Sequence, residues 1–147
     1  MSKEVAVLAT VAAGGVVALQ APANNVLSKY LGTFGAAVAS FGVGLTLIVV
    51  VTFAFAGGIN PVQGAAPPWY YWILGGVGGV VIVTVSLIAV RELGAGGVTA
   101  ATIAGQLALS VVIDRMGVLG LDERPITWEK LLGIGLLALG TLLIVRE

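Results

Sequence analysis

Residues 30–90 read YLGTFGAAVASFGVGLTLIVVVTFAFAGGINPVQGAAPPWYYWILGGVGGVVIVTVSLIAV, and none of these 61 positions is Asp, Glu, Lys or Arg. A helix needs about 20 mostly apolar residues to cross a hydrocarbon core of ~30 Å. This stretch is long enough to cross twice, with Ile59–Pro68 as the turn, since Asn60-Pro61 and Pro67-Pro68 stop helices. Outward from it the pattern continues: residues 5–28, 93–113 and 131–145 are also free of charge. In lipid the backbone must satisfy its own hydrogen bonds, so such runs become helices. The period-two alternation of a membrane barrel is absent.

The whole chain agrees. Of 147 residues 59% are apolar and 10% charged, against roughly 25% charged in a soluble domain. The expected class is therefore an all-α integral membrane protein of five transmembrane helices, one membrane domain over residues 1–147. The spans fall at about 5–28 (interrupted near Pro22), 34–56, 69–90, 95–113 and 131–145. Trp69-Tyr70-Tyr71-Trp72 suits the headgroup level at the start of the third. Trp128 and a snorkelling Lys130 extend the short fifth. Lys3, an apolar run and Ala21-Pro22-Ala23 also resemble a secretory signal, but the run is long for one and further spans follow.

With no cysteine and no histidine, disulfides, thiolate or imidazole metal sites and histidine acid–base catalysis are excluded. Formal net charge is zero, so nothing points to nucleic acid. No activated nucleophile or phosphate loop is present, and neither an enzyme nor a cofactor is expected.

Five spans put Lys3, Arg115, Arg124 and Lys130 on one side and Lys29, Arg91 and Arg146 on the other. Orientation follows the excess of Lys and Arg in short cytoplasmic loops. Four against three is almost no excess, so insertion both ways round is expected. Two inverted copies would form an antiparallel homodimer, the arrangement that inverted repeats give many transporters. Gly75, Gly76, Gly78, Gly79, Ala100, Ala101, Ala104 and Gly105 allow close helix approach, either within the chain or between copies.

Polar side chains at bilayer depth are costly and mark a partner or a cavity. Gln20, Asn24 and Asn25 flank Pro22, and Ser28 continues the face of Gln20 and Asn24. Gln20 lies ~22 Å into its span at 1.5 Å per residue. A broken helix with amides beside freed carbonyls is a common substrate site, though amides can also cap a fraying end. Thr99, Thr102, Gln106, Ser110 and Asp114 follow at spacings of three and four, one stripe along a helix. The stripe either lines a cavity or joins helices. No carboxylate sits deep in any span, so the chemistry is amide and hydroxyl, suited to a small polar solute.

Gln20-Ala21-Pro22-Ala23-Asn24-Asn25-Val26-Leu27 with Gly32 and Ser40, Trp72 with Gly75-Gly76, and Gly105-Gln106 through Ser110 to Asp114, then Gly117 and Gly120, resemble the YdcZ-type family. These are bacterial inner-membrane exporters of unassigned substrate in the drug/metabolite transporter superfamily. The resemblance covers most of the chain, and the motif around Gln106 is its most specific part. It implies a multi-pass protein of the bacterial inner membrane, half of an inverted-repeat transporter. Unlike the small multidrug-resistance exporters, the chain carries no glutamate deep in its first span.

The expectation is thus a secondary transporter (exporter) of a small polar solute, acting as an antiparallel homodimer by alternating access. Gln20, Asn24, Asn25, Trp72, Thr102, Gln106 and Ser110 are its candidate substrate-binding residues, and Asp114 its candidate ion-coupling residue. The other readings are a dual-topology ion channel and a non-transporting membrane scaffold.

Overall fold

A computed structural model describes residues 2–59 and 68–146. The turn signals Asn60-Pro61 and Pro67 lie outside the described residues. Among those described the chain is all-helical, with no strand: α1 (Lys3–Ala18), α2 (Gln20–Phe55), α3 (Trp69–Met116) and α4 (Trp128–Val145). Three stretches are long and apolar enough to cross a membrane: Lys3–Phe55, Trp69–Met116 and Trp128–Val145. The expected connections near residues 29–33 and 91–94 are each a break between two helices, reduced to one non-helical glycine, Gly32 in α2 and Gly94 in α3.

The first interruption lies near Pro22, as expected, at Leu19, which keeps helical torsions (φ −73°, ψ −20°). Pro22 falls in the first turn of α2, where a missing N–H removes no internal bond. The carbonyl it would have served in a continuous helix belongs to Ala18, the residue at which α1 ends.

The described chain forms two compact units, Met1–Ala18 with Ala89–Glu147, and Leu19–Ile88. In the Leu19–Ile88 unit, α2 meets α3 through Ala36, Ala37, Val83 and Leu87, with Ile82 beside them. Leu87 and Ala36 are fully buried. Two adjacent alanines let the backbones approach, and the gain is close packing, because lipid tails are as apolar as the side chains they replace. Phe41 packs over Gly79, where an added Cβ would stand 3.4 Å from the ring. Gly79 thus serves packing within the chain.

In the other unit α4 runs antiparallel to the second half of α3. Thr141 Oγ1 donates to the Ala100 carbonyl (3.2 Å) and to its own helix at Leu137 (2.8 Å). Val145 and Ile144 lie over Gly97 and Gly96. At the opposite end Lys130 Nζ lies 4.0 Å from Asp114 Oδ2 and donates to the Pro125 carbonyl at 3.2 Å. Lys130 is therefore tied to its own hairpin, and the helix extends past it to Trp128 as expected. The Arg124 N–H donates to the Asp114 carbonyl (2.8 Å), folding the connecting segment back on the helix end.

Thr127 caps α4, its hydroxyl accepting from the Lys130 N–H at 3.4 Å. Thr127→Ala is expected to lower stability by about 1 kcal/mol, and Thr127→Ser to preserve it, read from the unfolding midpoint in mixed detergent.

The two glycine breaks have the same local construction. Gly32 has φ 71° and ψ 169°, and Gly94 has φ 65° and ψ 174°, a region open essentially to glycine alone. In each, the preceding leucine folds over the residue three beyond the glycine. A Cβ on Gly35 would stand 3.0 Å from Leu31 Cβ, and one on Gly97 would stand 3.0 Å from Leu93 Cβ. The sequence repeats with the geometry: Lys29-Tyr30-Leu31-Gly32-Thr33-Phe34-Gly35 and Arg91-Glu92-Leu93-Gly94-Ala95-Gly96-Gly97. The shared pattern is a base, then Leu-Gly-x-x-Gly. The first glycine supplies the torsions and the second the space.

Candidate functional site

The candidate residues divide between the two units, and each group has its own geometry. In Leu19–Ile88, Gln20 opens α2 and is exposed, Asn25 is half-buried, and Trp72 at the start of α3 is 71% exposed. Asn24 and Ser28 are the buried polar side chains among the described residues, at 5% and 6% exposure. They stand four apart, one above the other on the same face of α2. The Ser28 hydroxyl donates to the Asn25 carbonyl at 2.8 Å. Asn24 finds no side-chain hydrogen-bond partner among the described residues. No fully occluded side-chain nitrogen or oxygen among them is left unsatisfied either. The small exposure that Asn24 retains therefore lies at its amide.

In the other unit the expected stripe is a real face of α3. Thr99 and Thr102 are half-buried, Gln106 and Ser110 exposed, and Asp114 half-buried. Gln106 has no hydrogen-bond partner among the described residues. Hydroxyls bonded to their own helix occur elsewhere, at Thr10, Thr46, Thr52 and Thr141. The stripe thus grows more open toward its middle. It ends at an ion pair, since the carboxylate of Asp114 faces the ammonium of Lys130. Arg115 and Glu123 lie 3.8 Å apart at the same hairpin, both largely exposed, a geometry that contributes little energy in water.

Two features escaped the sequence. Ser28 continues the Gln20/Asn24 face at helical spacing, but its burial is not encoded in that spacing. The Asp114–Lys130 pair spans 16 positions and depends on where the hairpin folds. What the arrangement offers is hydrogen bonding without titratable groups, apart from Asp114 at the helix end.

The chain matches the family described as "Putative inner membrane exporter, YdcZ" over residues 5–143. It belongs to the YdcZ family. The match spans both units and every candidate residue from Gln20 to Asp114. No curated protein and no solved structure matches the chain. With its apolar helices, a YdcZ-family chain is a multi-pass inner-membrane protein, and membership points to transport rather than catalysis.

Proposed function

We propose that this YdcZ-family chain is one half of a secondary exporter for a small polar solute, completed by an inverted second copy and cycling by alternating access. Gly32 and Gly94 divide the long apolar helices into residues 3–31, 33–55, 69–93 and 95–116. Each piece exceeds the ~20 residues a crossing needs. With α4 the crossings number five, and an odd number puts the termini on opposite sides. The near balance of basic residues between those sides supports insertion in both orientations.

The observation that carries the reading is Gln106. Its amide sits at the middle of the residue 95–116 helix, exposed and without a partner among the described residues. Hydrocarbon penalises an amide that has no hydrogen bonds. A second copy or a water-filled path relieves that penalty, and a site shared by two inverted copies supplies both. Gln20, Asn24, Asn25, Trp72, Thr102, Gln106 and Ser110 then contact solute from both protomers. Asp114 couples the cycle by exchanging Lys130 for an ion.

Topology reporters fused to the C-terminus test the assembly. Signal from both sides of the inner membrane is expected. Signal from one side alone rules out the antiparallel pair.

A further inference from the structure

One side of α4 lies against its own chain, since Thr141 donates to the Ala100 carbonyl and Lys130 faces Asp114. Ile134 and Leu137 share that side and are half-buried. The other side of α4 carries a second pattern. Leu132, Leu136, Leu139 and Leu143 lie on it, each 50–61% exposed. Glu129 precedes them and Arg146 follows, both exposed. Arg146 closes the helix with helical torsions (φ −76°, ψ −14°), so it continues the same face. The six positions step by three and four in alternation, the a/d spacing of a coiled-coil seam. At 100° per residue they lie roughly opposite the side that meets α3.

Leucine alone does not choose between lipid and protein, because lipid tails are equally apolar. The charges choose. An acid opens the stripe and a base closes it, and neither joins an ion pair among the described residues. A parallel copy would set acid beside acid and base beside base. An inverted copy sets Glu129 against Arg146 at both ends. The same register stacks Leu132 on Leu143 and Leu136 on Leu139, so every layer joins an a position to a d position. The two charges stand 17 positions apart, about 25 Å at 1.5 Å per residue. Both pairs therefore fall near the edges of a hydrocarbon core of ~30 Å. Gly133 and Gly140 flank the stripe, and a Cβ added at either meets nothing within 4 Å. Packing within the chain does not require them, and they leave room for a second backbone.

We propose that this face of α4 is the seam of the inverted pair, with a second copy of the chain lying antiparallel along it and Glu129 meeting the partner's Arg146. The inference rests on the antiparallel reading and adds to it the helix, the face and the register at which the copies meet.

The chain has no cysteine, so introduced thiols report without background. A disulfide needs Cβ atoms within about 4.5 Å. Two differently tagged full-length copies, one Leu132→Cys and the other Leu143→Cys, are co-expressed and oxidised in native membranes. The expected result is a mixed disulfide dimer at least fivefold more abundant than the dimer from either variant alone. Leu136→Cys with Leu139→Cys should also cross-link, and Leu132→Cys with Leu139→Cys, one turn out of register, should not. Efficient cross-linking of Leu132→Cys to itself makes the seam parallel and overturns the proposal. A mixed dimer from the out-of-register pair in place of the matched pairs overturns it as well. Topology reporters at the C-terminus separate the two claims. Signal from both sides without a mixed dimer removes the seam and leaves the inverted pair standing. Signal from one side removes both.

Discussion

Replacing Gln106 by alanine abolishes solute flux in proteoliposomes while the protein inserts and assembles at least as well as the parent. The two halves of this expectation come from the same amide. Gln106 is exposed in mid-helix and makes no hydrogen bond to the described chain, so no intrachain hydrogen bond is lost on truncation. Removing a polar group from bilayer depth favours insertion. A solute group left unpaired in a water-poor site forfeits about 1–3 kcal/mol, and two inverted copies double the loss. Flux is therefore expected to fall by a factor on the order of 100, since every 1.4 kcal/mol is tenfold. Flux of the alanine variant within twofold of the parent would remove Gln106 from the pathway. Loss of flux together with loss of assembly would make it an interhelical contact instead.

The largest effects on stability are expected at the two glycine breaks. At Gly32 and Gly94 any side chain is strained by about 1–3 kcal/mol, because the torsions lie where a Cβ collides with its own backbone. At Gly35 and Gly97 an alanine Cβ would meet a leucine Cβ at 3.0 Å, and each must shift by several tenths of an ångström. Gly32→Ala and Gly94→Ala should each lower the unfolding midpoint strongly and by similar amounts. Gly75→Ala, whose added Cβ meets nothing within 4 Å, should leave it unchanged and serves as the control. Comparable midpoints for Gly32→Ala and Gly75→Ala would show that the break is a soft kink that any residue tolerates.

The breaks also show how far the sequence could be read. The apolar helices were located well, because charge is forbidden in hydrocarbon and its absence marks them. The junctions fall where expected, but each is narrower than a loop. Lys29-to-Phe34 and Arg91-to-Ala95 looked like short loops, since each holds charge between long apolar runs. Each is a break at one glycine between two helices. Glycine abundance concealed their width: with 22 glycines in the chain, the two that break helices are marked only by Leu-Gly-x-x-Gly following a basic residue, a motif that without the base also occurs in unbroken helix at residues 74–78. Pro22 marked its break better. The interruption falls at Leu19, directly after the Ala18 carbonyl that the proline would leave unserved.

At the candidate site the division is similar. Helical spacing grouped Gln20 with Asn24, and Thr102 with Gln106, Ser110 and Asp114, and those faces exist. Spacing did not distinguish buried Asn24 from exposed Gln20 on one face, nor assign Lys130 to Asp114. The chain alone determined that this protein is helical, that it resides in the inner membrane and that it belongs to the YdcZ family. Those properties follow from where charge is absent and from local motifs. Tertiary structure alone decided which polar groups are enclosed and which stay open. In a membrane protein the lipid-facing and protein-facing sides are equally apolar, so periodicity identifies a face but not what it meets.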